Sequence, residues 1–243
     1  MPASNPLNAL ANVHRVTTRV GGRPTDVFVF DHHRSAFPLW TWAARDGPLT
    51  LVTFDRHMDL ATPAAHLPAP GASLADLDGF ARTALAARND DHVVAALEAG
   101  AIADAVVVAR SHQPPSLDAF RPFRDRASRS HRFAFARTLA EAGPEVLEVA
   151  RGAQRIALDV DLDCFTTLSD ADPDEVVTWD AEQIDAFLRC PESEAFWDAV
   201  LPKVALVTLA REPYHCGGLA RGARLWAAFS QVWFGRLLGV PEP

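Results

Sequence analysis

Cysteine is scarce in this chain, and long apolar runs are absent. The three cysteines, Cys164, Cys190 and Cys216, are widely spaced and form no Cys-x-x-Cys pair, so the common zinc-thiolate and redox motifs are missing. No apolar stretch reaches the roughly 20 residues that cross a bilayer, and residues 1–10 lack the basic and apolar regions of a secretory signal. We therefore expect a cytoplasmic protein with no membrane partner.

The charge balance limits the classes of partner. The chain carries 23 Lys and Arg against 31 Asp and Glu, a formal net charge of -8. Binding of nucleic acid through its phosphates requires the opposite balance, so we expect no nucleic-acid partner. An acidic protein attracts cationic ligands, which favours a cationic or neutral substrate. The sequence also lacks a Gly-x-Gly-x-x-Gly dinucleotide motif, internal repeats and low-complexity tracts.

Length and patterning predict a single α/β domain. The 243 residues, 49% of them apolar, can form one large core, and no linker divides residues 1–243. Short apolar runs alternate with amphipathic segments, which is typical of right-handed βαβ units. The expected fold has three layers, with a mostly parallel sheet and helices on both faces. Helices are predicted over residues 35–45, 73–88, 91–99, 134–142, 181–190 and 220–238, and loops that wall the cleft over 62–71 and 113–132.

Five apolar runs end in ionisable residues. The runs 27–30, 49–54, 155–158, 105–109 and 204–210 read as strands buried in a parallel sheet. They are followed by Asp31-His32-His33, Asp55-Arg56-His57-Met58-Asp59, Asp159-Val160-Asp161-Leu162-Asp163, Ser111-His112 and Arg211-Glu212, respectively. Ligands bind beyond the carboxyl ends of such strands, so the sequence predicts one cleft rimmed by carboxylates and imidazoles.

The first three endings predict a pair of metal ions. Side chains two residues apart share one face of an extended strand, so Asp55, His57 and Asp59 can project together. Mixed oxygen and nitrogen ligands suit Mn²⁺ or a similar ion, and two-metal sites hold their ions about 3.5–4 Å apart. The alternative is that these residues are strand-end caps and solvated loop charges. That alternative is favoured for one isolated motif and disfavoured for the combined set.

The same motifs resemble those of the arginase and agmatinase (ureohydrolase) superfamily. The segment from Asp55 to Asp59 is similar to its Asp-x-His-x-Asp motif, and Asp159-Val160-Asp161 to its later Asp-x-Asp. The closer resemblance is to the arginase-like family that includes the peptide arginases of ribosomal-peptide biosynthesis, and it extends from about residue 26 to 218. It is carried by His33 to Trp40, Leu158 to Phe165, and Glu212-Pro213 with Cys216-Gly217-Gly218. Arg34 stands where that family has Asn.

The resemblance implies an arginase-like fold and two Mn²⁺ ions per chain. It places His33 and Asp59 on one ion and His57 and Asp161 on the other. Asp55 and Asp159 are then shared between the ions. If the register shifts by two residues, Asp163 replaces Asp161.

The resemblance also implies a reaction. The family hydrolyses guanidino groups. The resemblance therefore implies that arginine is converted to ornithine and urea, and that the substrate is an arginine-containing peptide or a small guanidino compound. Asp59 is then the proton acceptor, and Glu212 faces the guanidinium. The alternative for Glu212 is a surface salt bridge with a neighbouring Arg.

Other histidines are weaker candidates. His92 suits a proton shuttle, because an imidazole that titrates near neutrality can protonate a leaving amine. A solvated helix cap is an equal alternative for His92, and His112 or His131 can serve as the shuttle instead. His32 precedes the proposed ligand and would face the opposite side of a strand, which favours a structural role.

Two other functions remain open. The first is a phosphoesterase of the DHH type, suggested by Asp31-His32-His33. In that family the acidic motifs precede the Asp-His-His, whereas in this chain they follow it. The second is a non-catalytic module that keeps the fold and binds peptides, against which the complete ligand set argues.

Overall fold

The computed structural model describes residues 7, 10, 12–110, 123–169, 171–172 and 174–241. Within them, a seven-stranded sheet forms the centre of the protein. Its strands lie in the order β1 (His14–Val20), β2 (Arg23–Phe30), β11 (Val204–Ala210), β8 (Ile156–Asp161), β3 (Leu49–Asp55), β4 (Ile102–Ala109) and β7 (Phe133–Ala136). Two short antiparallel hairpins are formed by β5 (Phe123–Arg124) with β6 (Ser130–His131) and by β9 (Thr166–Leu168) with β10 (Val176–Thr178).

The sheet is mostly parallel. Only β1 runs antiparallel to its neighbour β2, and the other adjacent pairs are parallel. The carboxyl ends of β2, β11, β8 and β3 therefore meet side by side at one edge of the sheet. This edge is where the predicted ligand residues follow their strands.

Helices cover both faces of the sheet. They are α1 (Ala36–Ala43), α2 (Leu74–Thr83), α3 (His92–Glu98), α4 (Pro144–Gly152), α5 (Ala181–Leu188), α6 (Glu194–Val200) and α7 (Leu219–Ser230), which continues as a π-helical segment, Gln231–Leu238. The first three pack into one apolar core, and the last four and the π-helical segment pack into another.

The two cores follow from the alternation of side chains along the strands. In β3, Val52 and Phe54 belong to the core beneath α4 to α7, whereas Leu49 and Leu51 belong to the core beneath α1 to α3. All four are fully buried. A central parallel strand is covered on both faces, which is why apolar residues of β3 point to both of its faces and not to one alone.

Most of the predicted elements are confirmed. The five apolar runs form β2, β3, β4, β8 and β11, and four predicted helices correspond to α1, α2, α3 and α5 within a few residues. The helix predicted over 220–238 is α7 with the π-helical segment. The helix predicted over 134–142 is wrong, because this segment contains β7, which pairs in parallel with β4. The sequence reading also missed α4, whose start is marked by Gly143 and by Pro144 in its first turn.

The predicted loops have different outcomes. Residues 62–71 are irregular, as expected. Of the loop predicted over 113–132, residues 113–122 lie outside the described residues, as does His112, and the remainder forms the β5–β6 hairpin. Among the described residues, no helix is both long enough and apolar enough to cross a membrane.

Candidate metal centre

Three central strands arrange polar residues in two rows on one face of the sheet. The first row consists of Thr53 on β3, Asp159 on β8 and Thr208 on β11, which are register partners. Asp55 and Asp161 follow two residues later on β3 and β8, and side chains two apart share a face. They therefore form a second row, nearer the carboxyl ends of the strands.

His33 connects the two rows. It lies in a short 3₁₀ turn directly after β2 and is fully buried. Its Nε2 is 2.7 Å from Oδ2 of Asp159 in the first row. Its Nδ1 is 3.2 Å from carboxylate oxygens of both Asp59 and Asp161 and 3.4 Å from an oxygen of Asp55. Although three oxygens surround it, this buried Nδ1 makes no hydrogen bond with the part of the chain that the structure describes.

The surroundings of this Nδ1 suit a cation. When Nε2–H of a neutral His33 donates a hydrogen bond to Asp159, Nδ1 presents a lone pair to three carboxylate oxygens. Such an arrangement is repulsive unless a proton or a metal ion lies between them. Metal–ligand bonds of about 2.0–2.2 Å separate neighbouring ligand atoms by roughly 3.0–3.4 Å. The separations of 3.2–3.4 Å around Nδ1 fall within this range.

A second group of ligand atoms shares Asp55 with the first. Nδ1 of His57 is 3.2 Å from Oδ2 of Asp163 and 3.7 Å from Oδ1 of Asp55. The other oxygen of Asp55, Oδ2, is the one that faces His33. Asp55 thus directs one oxygen toward each histidine, which is how a carboxylate bridges two ions. The His57 side chain is 50% exposed, so this end of the cluster is open to solvent.

The carboxyl groups perturb one another. Burial, reinforced by the charge of Asp55, raises the pKa of Asp59 well above its usual value. Burial and the charge of Asp163 do the same to the pKa of Asp161, and burial with the charge of Asp55 raises the pKa of Asp163. Burial also opposes ionisation of Asp55, but the adjacent His33 ring and the hydrogen bond from the backbone N–H of His57 outweigh burial and lower the pKa of Asp55.

The pKa values of two imidazoles, those of His33 and His57, are raised as well. Burial lowers the pKa of His33, but the charge and the hydrogen bond of Asp159, together with the nearby carboxyl group of Asp161, outweigh burial and raise this pKa well above its usual value. The hydrogen bond with Asp163 raises the pKa of His57 to about 9. Without a metal the cluster therefore retains protons on several groups. Divalent cations would displace these protons, because metal ligands bind in their deprotonated form.

Asp159 does not occupy the position that the resemblance implies. It belongs to none of the groups of candidate ligand atoms, which combine His33, Asp55 and Asp161, then Asp55, His57 and Asp163, and finally His33, Asp59 and His92. The reason is the strand register, which aligns Asp159 with Thr53, one row deeper than Asp55. The structure instead places Asp161 beside Nδ1 of His33 and Asp163 beside Nδ1 of His57, as a register shifted by two residues expects, and their binding of ions stays a prediction.

Two acidic residues of the site have an unusual backbone conformation. Asp59 has φ 51° and Glu212 has φ 36°, both in the left-handed region. Asp is found there more often than most residues, whereas for Glu this conformation is uncommon. The turn at Asp59 directs its carboxylate back toward His33. Such strain persists where neighbouring contacts hold it, and it is enriched at functional sites.

Glu212 lies in the interior of the site. Its Oε1 accepts hydrogen bonds from the backbone N–H of His33 at 2.6 Å and from Nδ2 of Asn89 at 2.7 Å. Its Oε2 lies 4.0 Å from Nε2 of His215, and burial raises the pKa of Glu212. The alternative of a surface salt bridge is therefore wrong. The contact of Glu212 with a guanidinium stays a prediction.

His92 is also buried. Its ring lies 4.2 Å from that of His33 and 5.5 Å from that of Trp40, measured between centroids. Its Nδ1 donates to the backbone oxygen of Asn89 at 2.8 Å, and burial with the charge of His33 lowers its pKa well below the usual value. Because His92 has no exposed surface, it is not a solvated helix cap. Its position also does not suit exchange of protons with solvent.

The remaining candidates lie away from the cluster. Asp31 forms an ion pair with Arg211, 2.7 Å apart, and His32 is exposed. His131 has its Nδ1 bonded to the backbone oxygen of Ala103 and lies in none of the three ligand groups. Burial raises the pKa values of Cys164 and Cys216, which keeps both thiols protonated.

Several functional positions had little sequence signal. Thr53 and Thr208 lie inside apolar strand patterns, and only their register with Asp159 reveals their role. Asn89 precedes two aspartates in a turn, and its φ of 58° suits Asn. His215 follows Glu212 by three residues, and its ring lies 6.3 Å from that of His57 at the open end of the cluster. The spacing from Glu212 was the one available signal for His215.

Comparison with known proteins adds no identification. No family model matches this chain, and no curated protein matches its sequence. The fold and the site define a class only. The chain is an α/β protein whose buried Asp and His residues, at the carboxyl edge of a mostly parallel sheet, could hold a metal ion.

Proposed function

We propose that the chain is a hydrolase of arginase-like fold that holds two Mn²⁺ ions. It cleaves the guanidino group of arginine, within a peptide, to give ornithine and urea. One observation supports the two-ion centre most strongly, which is that Asp55 directs one oxygen toward His33 and the other toward His57. The guanidino substrate rests on the motif resemblance.

The described residues fit such a pair of ions. One ion would be held by His33, Asp59 and Asp161, the other by His57 and Asp163, with Asp55 shared. The unpartnered Nδ1 of His33 is the donor that most needs a cation. The donors are all oxygen or nitrogen, which suits Mn²⁺ better than a thiolate-preferring ion. Ions bound there would make water nucleophilic at neutral pH.

The reaction needs one water molecule and no further reactant. Its oxygen forms a bond to the guanidinium carbon, and the bond from that carbon to the side-chain nitrogen breaks. Both protons of the water end on the departing nitrogen, so the products are urea and the ammonium of ornithine. Asp59 would accept the first of these protons. The open end of the cluster, beside His57 and His215, is where the leaving nitrogen would meet solvent.

Features around the open end suit a peptide. Tyr214, in the segment that joins Glu212 to α7, is 88% exposed, and Leu219, the first residue of α7, is 81% exposed. Large apolar side chains exposed beside a site favour contact with a substrate that extends beyond one amino acid. The net charge of -8 adds attraction for an arginine-containing peptide.

The alternatives have less support. A DHH-type phosphoesterase is suggested by the segment Asp31-His32-His33. In this chain only His33 of that segment enters the cluster, while Asp31 pairs with Arg211 at the surface. A non-catalytic peptide-binding module has no need of a buried carboxylate cluster, which is costly to fold without a cation.

Incubation of the Mn²⁺-loaded protein with arginine-containing peptides tests this proposal. We expect a mass loss of about 42 Da for each converted arginine, with release of urea, as metal-assisted hydrolysis requires. Asp55→Ala is the matched inactive control. If free arginine is hydrolysed and peptides are left unchanged, guanidino hydrolysis stands and the peptide substrate is rejected. Cleavage of a phosphodiester without urea would reject the proposal in favour of the phosphoesterase.

A further inference from the structure

The first polar row lies directly beneath the candidate ligands. Asp159 and Thr208 are fully buried, and Thr53 is 2% exposed. The three residues come from adjacent strands and occupy the same register position. Polar groups this deep in a sheet are expensive to bury unless they have partners. Their presence in otherwise apolar strands therefore calls for a function.

All of the described partners of Asp159 donate to it. Oδ2 accepts from Thr53 Oγ1 at 2.7 Å and lies 2.7 Å from His33 Nε2, and Oδ1 accepts from Thr208 Oγ1 at 2.5 Å. The direction of the Thr208 bond is set by Trp40, whose indole N–H donates to the same hydroxyl at 3.1 Å. The hydroxyl proton of Thr208 is thus available for Asp159.

This network determines the orientation of His33. Because Asp159 accepts at Nε2, the ring carries a proton on that nitrogen, and Nδ1 faces the second row. The two threonines hold both oxygens of Asp159, so the carboxylate cannot rotate away from the ring without losing a buried hydrogen bond. The stack of His92 against His33, 4.2 Å between ring centroids, limits the remaining freedom of the imidazole.

We propose that Asp159 is a positioning residue, which presents Nδ1 of His33 to the ion on that side of the cluster and does not bind an ion itself. This inference rests on the proposed metal centre. Replacement of a carboxylate that orients a metal-binding histidine in this way typically lowers the metal affinity by roughly 10–100-fold. The proposal assigns the effect to one ion of the two, because His57 receives no contact from the network among the described residues.

Stepwise Mn²⁺ titration of Asp159→Asn and of the control variant Asp163→Asn separates the two ions. Asn keeps the volume of Asp and one acceptor, but it cannot accept from all three donors. We expect Asp159→Asn to weaken one ion about 10–100-fold and to leave the other unchanged. The paramagnetic resonance spectrum should then change from that of a coupled Mn²⁺ pair to that of a single ion. Asp163→Asn should weaken the other ion.

Thr208→Val is a second, milder variant. It removes one hydrogen bond to Asp159, keeps the side-chain shape and changes no charge. We expect the same ion to weaken by a smaller factor, with the other ion unaffected. Should Asp159→Asn fail to fold, selective weakening in Thr208→Val supports the proposal, and the absence of any effect in Thr208→Val overturns it.

Equal loss of both ions in Asp159→Asn would show that Asp159 is a shared ligand, and unchanged binding would show that it has no role. Either result overturns the proposal while the metal centre stands. The metal-free protein offers an independent readout in the nuclear magnetic resonance signal of the His33 Nε2 proton. A hydrogen-bonded signal that disappears in Asp159→Asn supports the orientation even if no ion binds, and its absence from the unmodified protein overturns it.

Discussion

Replacement of Asp161 by Asn should reverse the order of stability between the metal-free and metal-loaded proteins. The pKa of this buried carboxyl group is raised, first by burial and then by the charge of Asp163. The folded chain therefore binds its proton more tightly than the unfolded chain, in which the pKa is about 3.9. As pH rises above that value, the unfolded chain releases this proton while the folded chain retains it, so the metal-free fold loses stability.

The neutral amide removes this cost. We expect Asp161→Asn to stabilise the metal-free protein at neutral pH by roughly 1.4 kcal/mol for each unit by which folding raises the pKa of Asp161. The gain should shrink as pH falls toward 4, where the carboxyl group is protonated in both states. With Mn²⁺ the sign changes, because each bound ion stabilises the fold by about 2.7 kcal/mol at a free concentration 100 times its Kd. The variant loses at least one of these contributions.

Urea unfolding, measured with a chelator and again with Mn²⁺, provides the assay. Asp161→Asn should be more stable than the unmodified protein in chelator and less stable in Mn²⁺. Asp31→Asn is the matched control, since Asp31 follows β2 at the same edge of the sheet but lies outside the cluster, paired with Arg211. Its effect should be small and equal in both conditions. A variant at Asp161 that is less stable in both conditions would refute the electrostatic reasoning.

Three further predictions concern binding and turnover. Glu212→Gln should retain both ions, because Gln can still accept hydrogen bonds from His33 and Asn89. It should reduce turnover by a factor that corresponds to about 1.5–3 kcal/mol, because the side chain loses its charge. Loss of metal would show that Glu212 is a ligand. Tyr214→Ala should raise KM for peptides and leave metal content unchanged, whereas an unchanged KM would remove Tyr214 from the substrate surface. Calorimetry should show Mn²⁺ affinity falling as pH decreases below about 9, the pKa of His57, because protons compete for its ring; affinity independent of pH would exclude His57.

The features that could be predicted from the sequence are those that a local residue pattern determines. The central strands were predictable because burial on both faces requires continuous apolar runs. The convergence of His33, Asp55 and Asp161 was predictable because parallel strands end at one edge. The edge strand β7 was not predictable, since its Phe133 to Ala136 segment is short and its strand conformation depends on pairing with β4. Tertiary contacts there override local preference.

The positions of the candidate ligands likewise depend on contacts between distant segments. The motif Asp159-x-Asp161-x-Asp163 offers three carboxylates at alternate positions, and nothing in the spacing says which of them lie beside Nδ1 of His33 and Nδ1 of His57. That choice depends on the register between β8 and β3, a relation between segments far apart in the chain. Asn89 joins the site through Glu212, again by a contact between distant segments. Local patterns therefore identify the kinds of ligand, while the sheet register assigns their positions.

The number of Mn²⁺ ions bound per chain tests the central claim most directly. Elemental analysis of the loaded, desalted protein should give close to two ions per chain, as a two-metal site requires. Asp55→Ala should lose affinity for both, because the two oxygens of Asp55 face different histidines. Absence of bound metal in the unmodified protein, or two ions retained in Asp55→Ala, would contradict the account.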